Sequence, residues 1–423
     1  MVLNYIWVGF FIVAFLTAIA KLILFYMGYP EYGGTEVFPN MVKAAFDVAI
    51  KAVMDIGLPL VGVITFFMGI MRIGEKGGMV NILAKLIDPF FQRIFPGIPK
   101  NHPAQGHIMM NFAANMLGLD NAATPMGLKA MQEMQNLNPD KDTASNAQIM
   151  FLVLNTSGLT LIPINIMAQR ASLGAADPSD IFIPLLIATF CSTFAGLIYV
   201  GIRQKIKFFD PVFLAYMGAI IALIAGVVFY FSNLPKEKIG PVSALVSNFI
   251  LLSIIVSFIA LGLYRRVNVF ETFIEGAKDG FEIVIKILPY LVGLLVAIAV
   301  FRACGALDFL LLGLKVTVEA LGFDSSFIPA MPTAFMKPLS GSGARAMMLD
   351  TMNAYGADSF AGRLACIFQG AADTTFFILA VYFGSVGIKK TRYSVAGGLL
   401  ADLAGVIAAI WIAYLFFGDT IAR

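Results

Sequence analysis

Apolar runs long enough to cross a bilayer recur along nearly the whole chain, from Tyr5 to Phe417, parted by short polar or glycine-containing turns. A hydrocarbon core about 30 Å thick needs about 20 apolar residues per helix. The uninterrupted candidates are 5–27, 56–73, 181–202, 213–231, 242–264, 283–303 and 395–417. Two further runs carry polar breaks: 149–167 at Asn155-Thr156-Ser157-Gly158, and 364–383 at Gln369-Gly370 and Asp373-Thr374-Thr375. Two others, 109–134 and 327–352, are apolar at both ends and turn in the middle, through Gly118-Leu119-Asp120-Asn121 or Ser340-Gly341-Ser342-Gly343. Each has the length of two half-helices joined by a tip, a hairpin that enters the membrane and returns. Non-helical backbone at that depth is tolerated only inside protein or against a water-filled cavity. Gly341 and Gly343 are expected at backbone angles that other residues resist.

An amphipathic segment precedes each hairpin. In 79–95 the polar residues Asn81, Lys85, Asp88 and Gln92 fall on one helical face, and 307–321 repeats the design with Asp308, Lys315 and Glu319. Such helices lie along the membrane surface. The parallels indicate a duplication. At an offset of 230 residues Pro59 matches Pro289, Arg72 matches Arg302, Lys85 matches Lys315 and Pro99 matches Pro329. The offset becomes 222 across the hairpins, where Met109 matches Met331 and Met126 matches Met348, and 214 at the breaks, where Asn155 faces Gln369.

Composition sharpens the class. Hydrophobic residues make up 59% of the chain and charged ones 13%, against roughly a quarter charged in soluble domains, which excludes a soluble protein. The net charge is only +3, with no basic tract of the kind that binds nucleic acid. Cys191, Cys304 and Cys366 lie far apart in apolar surroundings, as buried thiols do, and with two histidines in all a structural zinc site is not expected. The first run has no basic residue before it and no cleavage motif after it, so it reads as a retained helix.

Basic residues cluster at 72–100, 203–207, 265–278 and 389–392. Placing all four clusters in the cytoplasm requires nine crossings, with the N-terminus inside and the C-terminus outside. An odd number of crossings then separates the two copies, which gives them opposite orientations. Inverted repeats with interrupted helices point to a secondary transporter whose site lies where the breaks meet.

Residues 115–130, reading NMLGLDNAATPMGLKA, resemble the signature of spore maturation protein A. Residues 337–345 (KPLSGSGAR), 369–375 (QGAADTT) and 382–392 (YFGSVGIKKTR) resemble that of spore maturation protein B. Together the two cover nearly the whole chain, as in a natural fusion. Both families belong to the nucleoside-recognition, or gate, grouping, which is similar to concentrative nucleoside transporters. The resemblance implies an order of interfacial helix, hairpin, broken helix and plain helix used twice, a solute site at the hairpin tips and breaks, and ion-coupled uptake.

The fold expected is therefore an all-α integral membrane protein, an inverted-repeat transporter-like fold with two re-entrant helical hairpins and two broken transmembrane helices. Its parts are an N-terminal helix and loop (1–45), an A-like repeat (46–208), two linking helices (209–272) and a B-like repeat (273–423). Lys337 and Arg345 flank Ser340 and Ser342 at the second tip and can hold an anion; the structural alternative pairs them with Asp373 or Asp350. Asp120 and Asn121 form the first tip, with Asn111 and Asn115 on its incoming arm. The breaks offer Asn155, Thr156 and Ser157 on one side and Gln369 and Thr374 on the other, with Asp373 the candidate for binding Na⁺ or carrying a proton. Apart from such an ion no cofactor or metal is expected. A serine nucleophile at Gly341-Ser342-Gly343 would need a preceding strand and a nearby histidine, so an enzyme is not expected. The expected partners are membrane lipid and a small polar solute, anionic or nucleoside-like; nucleic acid is not expected, and a homo-oligomer is compatible with the sequence. The alternative to a carrier is an inner-membrane envelope factor that handles a lipid-linked precursor.

Overall fold

The computed structural model describes residues 2–29 and 34–421, with the side chains of 2, 3, 120–122 and 236 outside the description. The chain is all-helical. After α1 (Val2–Tyr26), one series runs through α2 (Val37–Lys51), a π-helical turn (Ala52–Gly57), α3 (Leu58–Gly77), α4 (Met79–Ile94), α5 (Pro103–Met116), α6 (Asp120–Leu137), α7 (Asn146–Ser157), α8 (Ile164–Ser172) and α9 (Phe182–Gln204). Two linking helices follow, α10 (Pro211–Ser232) and α11 (Lys236–Tyr264). A second series follows as α12 (Val269–Ala303), α13 (Ala306–Ala320), α14 (Met331–Met336), α15 (Gly341–Tyr355), α16 (Phe360–Gly370), α17 (Thr375–Ser385) and α18 (Ser394–Phe417).

Eight segments are long and apolar enough to span a bilayer, so this is a multi-pass membrane protein. They match the nine expected crossings except at 149–167. There the polar break divides the run into helices of 12 and 9 residues, and neither is long enough alone. The amphipathic segments form α4 and α13 as expected. The paired helices α5/α6 and α14/α15 stand where the hairpins were expected.

Local chemistry sets the helix ends. Ser145 and Gln148 form a reciprocal capping box at the start of α7, and left-handed Gly158 (φ 57°) ends that helix. Ser340 caps α15 through the Gly343 amide and Ser359 caps α16 through the Gly362 amide. The expectation for Gly341 and Gly343 is corrected: both lie inside α15, and neither has positive φ. The glycine that turns the first tip is Gly118 (φ 71°). Gly341 is required for space, since a Cβ there would lie 2.7 Å from Thr374 Oγ1.

Close approach through small residues fixes how the series pack. Gly276 and Gly280 of α12 bring its backbone against Met68 and Thr65 of α3. These helices run antiparallel: Lys76, ending α3, pairs with Glu275 at 2.5 Å, while Gly57, before its start, meets Leu288 further along α12. Likewise α9 and α18 run antiparallel, for Ser192 donates to the Ala401 carbonyl at 2.9 Å and Arg203 lies over Tyr393. The exit loops interlock reciprocally. The loop after α6 holds the loop after α17 through Lys389 and Lys390 amides to the Asp142 carbonyl, and the loop after α15 holds the loop after α8 through Asp358 and the Ala176 amide.

These contacts gather the basic clusters at one end of the bundle. Gly77 at the end of α3 abuts Gly262, near Arg265 and Arg266. Arg93 at the end of α4 hydrogen-bonds Asp210 at 3.1 Å, next to Lys205 and Lys207, and Arg203 shares Tyr393 with Arg392. The opposite end holds Asp324, which accepts from Tyr414 near the end of α18, and an ion cluster around Arg170. Arg302 pairs with Asp350 and Asp308, and Arg72 with Glu75 and Glu275, so both matched arginines are tied to acidic neighbours.

Candidate functional site

The two breaks meet in the middle of the bundle. Non-helical residues 158–163 separate α7 from α8, and 371–374 separate α16 from α17. Leaving the helical pattern frees carbonyl and amide groups that must find partners. They find one another: the Asp373 amide donates to the Thr156 carbonyl at 2.7 Å. The approach is so close that a Cβ on Gly158 would lie 3.0 Å from the Asp373 nitrogen. Each hairpin tip closes on the break of its own series. The Leu161 amide donates to the Met116 carbonyl at 2.7 Å, and the Phe376 amide to the Pro338 carbonyl at 3.0 Å.

The sequence-derived residues distribute around this crossing in distinct ways. Asn115 donates to the Asn155 side-chain carbonyl at 2.8 Å, tying the first hairpin to the first break, and Asn155 in turn donates to the Phe151 carbonyl. Asn111 is buried and donates to the Ala123 carbonyl within its own hairpin and to the Tyr382 hydroxyl of α17. Thr156 and Ser157 turn their hydroxyls back onto their own helix, to the Val153 and Leu154 carbonyls. The side chains of Asp120 and Asn121 lie outside the described residues. At the second tip Ser340 accepts from the Gly343 amide and lies 3.3 Å from the Ser342 hydroxyl. Lys337 is buried where α14 ends, and Arg345 is half-buried one turn into α15. Asp350, weighed as their partner, pairs instead with Arg302. Gln369 reaches the Gly341 carbonyl through its amide nitrogen at 3.4 Å, while its buried carbonyl oxygen has no hydrogen bond among the described residues. Thr374 is buried against Gly341. Asp373 is exposed and caps the Thr374 amide at 2.7 Å.

Two features escaped the sequence reading. Asp402 lies on α18, in a run read as plain apolar helix; it is buried, accepts from the Thr375 hydroxyl at 2.7 Å, and interacts electrostatically with Lys337 and Asp373. A lone acid within an apolar span was the available signal. Arg170 is fully buried at the end of α8, between Asp180 at 2.9 Å and Asp358 at 3.0 Å. Separately, an apolar cavity of about 300 Å³ reaches the first break, lined by Leu159, Leu161 and Met116 together with Phe90, Phe190 and Leu223.

The nucleoside-recognition (Gate) family profile matches residues 58–172, from α3 to the end of α8. Spore maturation protein B of Bacillus subtilis (strain 168) is 48% identical over 166 residues, 39% of this chain and 92% of that protein. The chain belongs to the spore maturation protein family. Spore maturation protein A of the same organism is 41% identical over 160 residues, 37% of this chain and 82% of that protein. Near-complete likeness to both, each over little more than a third of the chain, marks a fusion of the A and B types. No solved structure matches. On the arm entering the first tip the A-like segment has the uncharged Asn115, which the offset of 222 aligns with Lys337, whereas the B-like KPLSGSGAR segment supplies Lys337 and Arg345.

Proposed function

We propose that this fusion protein is an ion-coupled secondary carrier of the cytoplasmic membrane that moves a small polar, anionic or nucleoside-like solute. The observation that carries the reading is the crossing of two broken helices at Asp373 and Thr156, with a hairpin tip closed on each. Broken helices expose backbone dipoles at mid-depth, where a carrier holds solute and ions. Antiparallel packing of α3 with α12 and of α9 with α18 supports an inverted repeat, and inversion supplies two related conformations open to opposite sides. Gathering of the basic clusters at one end supports a cytoplasmic placement of that end. The hairpins are read as re-entrant: the 14 residues of α5 extend about 21 Å, short of a bilayer core of about 30 Å. A carrier rather than an enzyme is the reading adopted for the second tip, where Ser342 lies in the first turn of α15 with no strand before it, while His102 serves as the cap of α5.

Topology is checked by single cysteines in a background free of the native thiols. Lys76→Cys and Lys389→Cys are expected to be protected from an impermeant thiol reagent in intact cells, and Asp324→Cys to react. Labelling of positions 76 and 324 from the same side removes the inverted arrangement.

A second reading, in which a lipid-linked precursor is handled instead, is favoured by the apolar cavity that reaches the first break. Thermal-shift measurements against nucleosides, carboxylates, phosphates and lipid headgroups separate the two, because a ligand bound only by the native state raises its stability. For an anionic hit, Arg345→Gln keeps hydrogen bonding but loses charge and is expected to weaken binding by about 1.5–3 kcal/mol. Unchanged binding by a folded Arg345→Gln variant refutes the anion site; response to lipid headgroups alone refutes the soluble-solute reading.

A further inference from the structure

A carrier driven by an ion gradient needs a group that changes its state with that ion, and the exposed Asp373 already spends one carboxylate oxygen on the Thr374 amide. Asp402 is placed differently. It stands two turns into α18, inside the membrane span, with 6% of its surface accessible. Its Oδ2 accepts from the hydroxyl of Thr375, the first residue beyond the second break. Its Oδ1 is buried and has no hydrogen bond among the described residues. The charged groups that act on it are Lys337, where α14 gives way to the hairpin tip, and Asp373 in the break itself. The remaining surroundings are small: Gly398, one turn before it, faces Thr375 and Thr156, and Ser192 of α9 donates to the neighbouring Ala401 carbonyl.

A carboxylate with one buried oxygen unpartnered, inside a membrane span, is an expensive ion unless something neutralises it. We propose that Asp402 takes up the coupling cation, a proton or a monovalent metal ion, at the foot of the second break, an inference that rests on the carrier reading above. Oδ1 is the acceptor, and a proton comes from water at one face and returns to water at the other. The consequence reaches the tip through Lys337. While Asp402 is anionic it attracts the Lys337 ammonium; neutralising it removes that attraction and leaves the tip more positive toward an anionic solute. Cation and anionic solute then favour each other's binding, because a cation at Asp402 makes the potential at the tip more positive.

The test is infrared difference spectroscopy of the full chain in lipid nanodiscs, titrated with acid in the absence of any solute. Wild type is expected to gain the carbonyl band of a protonated carboxyl held away from water. Asp402→Asn should lose that band, and Asp373→Asn should keep it. Titration in sodium against choline chloride separates the two cations: a midpoint displaced by sodium alone assigns a shared metal and proton site, and an undisplaced one assigns a proton. Thr375→Val retains the carboxyl but removes its donor, so the band should persist with a displaced midpoint; this variant decides the matter if Asp402→Asn does not fold. A band that survives in folded Asp402→Asn, or a midpoint unmoved in Thr375→Val, overturns the assignment. Because no solute is present, this outcome is independent of the ligand screen, and either reading can fall alone.

Discussion

Arg170→Met is expected to destabilise the protein by about 3–5 kcal/mol, the usual cost of removing one member of a buried ion cluster. Arg170 has no accessible side-chain surface. It lies at 2.9 Å from Asp180 and 3.0 Å from Asp358, and donates to the Ala357 carbonyl at 2.7 Å. Methionine fills much of the space but leaves a buried carboxylate and a carbonyl without their donor. Arg363 bonds Asp180 at 2.7 Å and can keep part of the charge balanced. It cannot replace the link to Ala357, because that link crosses from α8 to the loop before α16. The measurement is thermal unfolding of the purified protein in detergent with and without the substitution. Adding Asp180→Asn to Arg170→Met should recover part of the loss, since the stranded charge disappears. A wild-type unfolding midpoint in Arg170→Met would show that the cluster contributes no net stability.

The cluster also shows where reading the sequence ran out. Arg170 lies 187 positions from Ala357 and 188 from Asp358, so neither periodicity nor local spacing can pair them. Elements defined by local pattern were legible: α4 and α13 by their amphipathic faces, and the breaks by polar residues within apolar runs. Chemistry that depends on packing between the series was not. A single acid does not alter the helical reading of 395–417, so Asp402 was hidden until α17 brought Thr375 against it. The glycines of the second tip were misread for a related reason. Ser340 caps a helix that begins at Gly341, so glycine there answers to the nearness of Thr374 and not to a turn.

The position where backbone angle and crowding do coincide is Gly158, and Gly158→Val is expected to have the second largest effect. Its φ of 57° is left-handed, a region that β-branched residues resist at a cost of about 1–3 kcal/mol. An added Cβ would also lie 3.0 Å from the Asp373 nitrogen and 3.3 Å from the Ala372 carbonyl carbon. Both are backbone atoms and cannot rotate aside as a side chain can. The two breaks must therefore move apart by a few tenths of an ångström, which weakens the bond from the Asp373 amide to the Thr156 carbonyl and adds up to about 0.5–1.5 kcal/mol, the worth of that hydrogen bond. Gly174, also left-handed but with open space around it, provides the control. Gly174→Val meets the angular cost alone and should lower the unfolding midpoint by less. If the crossing holds the solute, Gly158→Val should in addition lose ligand binding under conditions where the variant is still folded, whereas Gly174→Val should keep it. Equal losses of stability in the two variants would mean that the breaks do not press on each other at Gly158, and that their crossing is looser than the 2.7 Å bond between Asp373 and Thr156 requires.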